Sequence, residues 1–135
     1  MIHEWWGLNK SMTQTAEIFS NSNIRVFVPD LYRDEAANSA EEAGHKMSNL
    51  NWPQALEDLA NVKNHLSGSS KSVSVMGFCM GGALTLASLA SISGWKAGGI
   101  FYGIPDLNVF RLDKITAKTV AHFGALDPLQ GFSDK

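Results

Sequence analysis

One cysteine, Cys79, serves the whole chain. That excludes an internal disulfide framework, and no C-x-x-C pair or Cys/His cluster stands at metal-ligand spacing, so no metal site is expected. Basic residues are not in excess: 11 Lys and Arg face 13 Asp and Glu, for a net charge of -2 at pH 7. Without a basic stripe interleaved with aromatics, a nucleic-acid partner is excluded. No apolar run reaches bilayer-spanning length, and the first residues lack the charged-then-apolar pattern of a signal peptide. No membrane partner is expected, and a reducing, cytoplasmic setting fits the cysteine usage. Repeats and low-complexity tracts are missing as well. What remains is 135 residues, 44% hydrophobic and 18% charged, the composition of one ordinary globular domain with a single core.

Period and punctuation alternate strand with helix along the chain, the pattern of a parallel α/β sheet. Met1 to His3 reads as the end of a strand, followed by the loop Glu4 to Asn9. A helix is expected from near Ser11, where Ser11 and Gln14 have capping-box spacing, with Met12, Ala16 and Phe19 on one face. A strand should follow over Ile24 to Val28. Tyr32 to Asn51 is polar and rich in small residues, a surface excursion carrying a short helix capped at Ser39 and Glu42. Pro53 suits a helix start, and apolar residues recur at helical intervals from Trp52 to Leu66 until Ser67-Gly68. Further strands are expected near Val73 and Val75, over Ala97 to Tyr102, and over Thr119 to Phe123.

The segment Val73-Ser74-Val75-Met76-Gly77-Phe78-Cys79-Met80-Gly81-Gly82 is the most informative. A short apolar strand runs through G-x-C-x-G into a helix that is apolar nearly all round. Such a turn lifts one side chain above the end of the sheet, and a Cβ at the flanking glycines would crowd it. Cys79 occupies the raised position. A thiol attacks well only as thiolate, and a helix N-terminus is expected to lower its pKa. The Met80 N–H, just after the nucleophile, can stabilise an oxyanion, and the loop after the first strand offers the Trp5 N–H as its partner. Asp127 follows a later strand, in the chain order of an acid that orients a histidine. The competing readings are an inert buried cysteine at a tight turn and a turn aspartate before Pro128.

Taken together, Ile2-His3-Glu4-Trp5-Trp6-Gly7-Leu8-Asn9, Pro29-Asp30-Leu31-Tyr32-Arg33, Gly77-Phe78-Cys79-Met80-Gly81-Gly82, Phe101-Tyr102-Gly103 and His122-Phe123-Gly124 through Asp127-Pro128 resemble the dienelactone hydrolase, or carboxymethylenebutenolidase, family. The resemblance spans nearly the whole chain in order. It implies an α/β-hydrolase fold, a three-layer parallel sheet with helices on both faces. It also implies a Cys-His-Asp triad that hydrolyses a small-molecule ester or lactone through an acyl-enzyme, without metal or cofactor. Glu4 would then meet the resting thiol and help control its protonation. Trp5, Trp6 and Phe78 are candidates for the wall of an apolar pocket.

Two departures shape the expectation. The triad histidine should follow one more strand after Asp127, and a parallel crossover takes a dozen or more residues, more than follow Asp127. His122 precedes the acid within a strand, His45 and His65 read as solvated helical residues, and His3, beside the oxyanion loop, is a minor candidate for proton transfer. The chain is therefore expected to be the central part of a longer hydrolase, a single partial domain over residues 1–135, truncated at both ends. The second departure is that no arginine lies between Arg33 and Arg111, whereas dienelactone-cleaving relatives hold the substrate carboxylate with arginines. Lys46 could supply a point charge but not a bidentate fork, which favours another small ester or lactone. The alternative to an enzyme is a non-catalytic α/β module or inactive fragment in which the elbow survives as a binding or thiol-reactive site.

Overall fold

A computed structural model describes residues 1–128; the stretch 129–135, expected to be too short for another strand, lies outside the described residues. In chain order the elements are α1 (Lys10–Ser20), α2 (Ala40–Ser48), α3 (Trp52–Ser67), β1 (Val75–Phe78), α4 (Met80–Ser91), β2 (Ala97–Phe101), a 3-10 turn (Leu112–Lys114) and β3 (Lys118–His122). The strands form one parallel sheet in the order β1-β2-β3, and Ile2 extends it on the β1 side through a parallel bridge to Gly77. No helix among the described residues is long and apolar enough to cross a membrane.

Helix α4 is the centre of the core. Ten consecutive residues, Met80 to Leu89, are buried, as a helix apolar nearly all round must be when it is covered on every side. It packs on β1 and β2, with α3 and the 3-10 turn against it. The approach is close enough that a Cβ on Gly98 would strike the Leu89 side chain. Leu84, Ile100 and Ile2 are fully buried at this junction, each contributing roughly 1.5–3 kcal/mol by removal from water. Side chains alternate across a strand, so Met76, Phe78, Phe101, Val120 and His122 share the opposite face. Phe78, Phe101 and His122 stack there across three strands at 4.7 and 4.9 Å. Phe19 of α1 shares a cavity of about 600 Å³ with Met76, Phe101 and Val120 of that face.

Two local expectations are corrected. Helix α1 is capped by Asn9, whose side chain accepts the Met12 N–H at 3.0 Å; asparagine one turn earlier outcompetes the Ser11 spacing because it satisfies an orphan amide of the first turn directly. Residues 24–28 are extended but form no strand. The Met1 nitrogen donates to the Phe27 carbonyl at 2.7 Å, and Ile24 and Phe27 remain 53% and 42% exposed. Alternating apolar residues favour extended backbone, but a strand exists only through its ladder. The excursion does carry its helix: Ser39 caps α2 by accepting the Glu42 N–H, while Glu42 reaches back to the Asn38 N–H at 2.8 Å.

Candidate active site

Strand β1 enters α4 through one residue. Cys79 has φ 57° and ψ −120°, a conformation that costs a residue with a Cβ on the order of 1–3 kcal/mol and persists only where its surroundings over-determine it. They do so here through backbone. The Cys79 N–H donates to the Phe101 carbonyl at 3.0 Å, and its own carbonyl accepts from Gly82 and Ala83 at 2.9 and 3.1 Å. Glycines make those approaches possible. A Cβ on Gly77 would strike the Gly81 carbonyl, one on Gly82 the Tyr102 carbonyl, and one on Gly103, at φ 94°, the Cys79 carbonyl. On Gly81 it would lie 2.6 Å from the carbonyl oxygens of both Ile2 and His3.

The half-buried sulfur of Cys79 faces the backbone amides of Met80 and Trp5, with the charges of Glu4 and Asp127 close enough to be felt. Burial pushes the thiol above its ordinary range; the carboxylates of Glu4 and Asp127 push the same way, and the two amides pull it down without prevailing. This corrects the expectation that the helix N-terminus alone would lower the pKa. Two donated hydrogen bonds stabilise a thiolate, but desolvation and two neighbouring anions outweigh them, so the resting group is the neutral thiol.

Glu4 is held from the far side. Tyr102, at the C-terminal end of β2 with φ 47°, donates its hydroxyl to Glu4 Oε1 at 2.9 Å. Burial and the Glu4 carboxylate keep that phenol protonated far above its ordinary range. Tyr32 donates to the Trp5 carbonyl at 2.8 Å and touches Met80 Sδ at 3.4 Å. Burial and the charge of Cys79 raise it to about 12. The loop itself turns at Gly7, φ 89°, and the rings of Trp5 and Trp6 meet edge to face at 5.1 Å. The structure thus gathers Cys79, Glu4, Trp5, Met80 and Asp127 at one end of the sheet. Phe78 turns onto the sheet face and into the aromatic stack described above.

A model of the dienelactone hydrolase family matches residues 1–135. The chain belongs to the dienelactone hydrolase family. It is 28% identical over 126 residues to "Protein usf" of Aquifex pyrophilus, and 26% identical over 127 residues to "Putative carboxymethylenebutenolidase" of Aquifex aeolicus (strain VF5). Each match covers 85% of this chain and 54% of the relative, so the chain spans about half the length of these curated relatives. The fold is accordingly that of the α/β-hydrolases, a parallel sheet with helix α4 buried against it.

Within this family framework, sequence reasoning missed the two tyrosines as working groups. Tyr102 was legible in principle, because it follows a parallel strand at its C-terminal end, where open α/β sheets place their ligands. The four histidines divide sharply. His3 is fully buried, whereas His122 is exposed on β3 and stacked on Phe101; His45 and His65 sit in the last turns of α2 and α3. The two cations of the excursion are already engaged: Arg33 grips both oxygens of Asp58 at 2.7 and 2.6 Å, and Lys46 holds Asp34 at 2.7 Å while lying 5.9 Å above the Tyr32 ring. Among the described residues no group of His, Cys, Asp and Glu could hold a metal ion.

Proposed function

We propose that the native protein hydrolyses small esters or lactones, with Cys79 as nucleophile, Glu4 governing its protonation, and the Trp5 and Met80 amides forming the oxyanion hole. One observation carries this reading: a strained cysteine stands over the end of a parallel sheet with two amides aimed at its sulfur and two carboxylates beside it. In the reaction, the thiol proton passes to a base and the sulfur bonds to the substrate carbonyl carbon. The carbonyl electron pair moves onto oxygen, where the amides of Trp5 and Met80 meet the developing charge. Collapse breaks the bond to the alkoxide, which leaves with a proton. Water then adds to the thioester, and a second collapse releases the acid and restores the thiol. Asp127 orients a histidine contributed from outside these 135 residues, which fits relatives almost twice as long.

The substrate is proposed to lack a carboxylate. Arg33 and Lys46 are neutralised by Asp58 and Asp34, and the charges nearest the sulfur are those of Glu4 and Asp127. Trp5 and Trp6 furnish an aromatic wall that suits a small apolar acyl or lactone ring. The test is hydrolysis of p-nitrophenyl acetate by the native polypeptide and its Cys79→Ala variant. We expect the variant to lose about 10³-fold or more in kcat, and an acyl-enzyme to be trapped in the parent. Equal rates with both would refute the assignment.

A further inference from the structure

The buried histidine of the oxyanion loop has no place in the reaction just described, yet both its ring nitrogens are committed. Nε2 receives the Leu31 backbone N–H at 3.1 Å. An amide can only donate, so Nε2 is the unprotonated nitrogen, and in the neutral ring the proton sits on Nδ1. Nδ1 therefore donates to the Glu4 carbonyl at 2.7 Å. Burial holds the imidazole in this neutral form, against the pull of that carbonyl and of Asp30. The ring is fully enclosed and meets Tyr32 edge to face at 5.0 Å.

Peptide geometry carries the consequence. In a trans peptide the C=O of one residue and the N–H of the next point in opposite directions. Anchoring the Glu4 carbonyl to His3 therefore aims the Trp5 N–H the other way, and that other way is the Cys79 sulfur. Gly7 adds a second bond to the same carbonyl at 3.1 Å, and Tyr32 ties down the Trp5 carbonyl. The His3 bond is the shortest of the three. We propose that His3 is a positioning residue, its Nδ1–H fixing the plane of the Glu4-Trp5 peptide so that the Trp5 amide serves as oxyanion donor, while its Nε2 pins the Leu31-Tyr32 segment to the same loop.

This inference rests on the hydrolase reading for its kinetic consequence but not for its effect on the thiol. Two variants of the native polypeptide separate its parts. His3→Phe fills the ring volume and removes both bonds; His3→Asn keeps an N–H near the Nδ1 position and gives up the bond to Leu31. With p-nitrophenyl acetate, His3→Phe is expected to lose roughly 10²–10³-fold in kcat, the usual effect of losing one oxyanion donor, with KM within about twofold. His3→Asn should stay within about tenfold of the parent kcat although its thermal stability also falls. The pH midpoint for alkylation of Cys79 by iodoacetamide should move upward in His3→Phe, because a thiolate donor is lost, and stay put in His3→Asn. Groups that could disturb that midpoint, Glu4, Asp127, Tyr32 and Tyr102, are unchanged in both. An unchanged kcat and midpoint in folded His3→Phe, or equal losses in both variants, would overturn the proposal. If His3→Phe does not fold, a loss of about 10²-fold or more in His3→Asn overturns it, and retention within about tenfold supports it. A parent without esterase activity whose alkylation midpoint still shifts as described would sink the hydrolase reading and leave the positioning role standing.

Discussion

Gly81→Ala tests whether the elbow and the oxyanion loop are held together by backbone contact. The new methyl would sit 2.6 Å from the carbonyl oxygens of Ile2 and His3, so the start of α4 and the first strand segment must separate by roughly 0.8 Å to reach ordinary contact near 3.4 Å. Both obstacles are backbone and cannot rotate away. Overpacking of this kind costs about 1–3 kcal/mol, offset by up to ~1 kcal/mol from replacing glycine by alanine in a helix. With the full offset the expected net loss is about 0–2 kcal/mol, read from the urea midpoint at constant slope. The kinetic effect should exceed the stability effect. Separation carries the Trp5 amide away from the Met80 amide, and a misplacement near 1 Å costs up to about 10²-fold in rate. Gly44→Ala is the control: it lies in α2 with nothing within 4 Å of the added Cβ, and it should stabilise by roughly 0.5–1 kcal/mol and leave catalysis alone. If Gly81→Ala proves as stabilising as Gly44→Ala, with unchanged ester hydrolysis and Cys79 alkylation, the close-packed elbow described above is wrong.

Two further outcomes follow from the polar contacts. Tyr102→Phe removes the hydroxyl that donates to Glu4 at 2.9 Å; a charge-assisted bond is worth about 1.5–3 kcal/mol when buried and less at this half-buried site, so a loss of about 1 kcal/mol in denaturation is expected, and a change below about 0.3 kcal/mol would show that the contact does not hold Glu4. His3 gives a pH signature. Its folded pKa lies below the ordinary 6.5, so the unfolded chain binds the extra proton, and the stability this residue contributes is complete above pH 6.5 and drains away as the pH falls below it. Parent protein should therefore destabilise from about pH 6.5 downward more steeply than His3→Asn, and parallel curves would refute the buried neutral imidazole.

How much of this was open to a reader of the sequence depends on how local the determining physics is. The strand-glycine-cysteine-glycine-helix order sets the elbow through local steric limits, and the structure reproduces the predicted crowding locally at Gly77, against Gly81, and at Gly81 against the Ile2 and His3 carbonyls of the distant first segment. Helices α3 and α4 were legible for the same reason, since periodicity and a flanking proline or glycine are local signals. Residues 24–28 show the limit: their alternation is that of a strand, but pairing is decided by another segment. Tyr32 and Tyr102 show it again, because their partners lie 27 and 98 positions away in the chain.

The thiol illustrates why local reasoning can predict a contribution correctly and still miss the sign of the sum. Proximity to the N-terminus of α4 does lower the pKa of Cys79, as the Met80 amide shows. That end of the helix is also where the fold deposits Glu4 from the first loop and Asp127 from beyond β3, and where Cys79 is partly shielded from water. Two anions and desolvation act on the thiolate in the same unfavourable direction, and two amides cannot cancel them. On the proposed hydrolase reading, a nucleophile held neutral at rest needs its activation from the encounter with substrate. In that proposal the amides of Trp5 and Met80 are worth most to an oxyanion formed during reaction, and the orientation proposed for His3 to impose on one of them matters more to turnover than to the resting thiol.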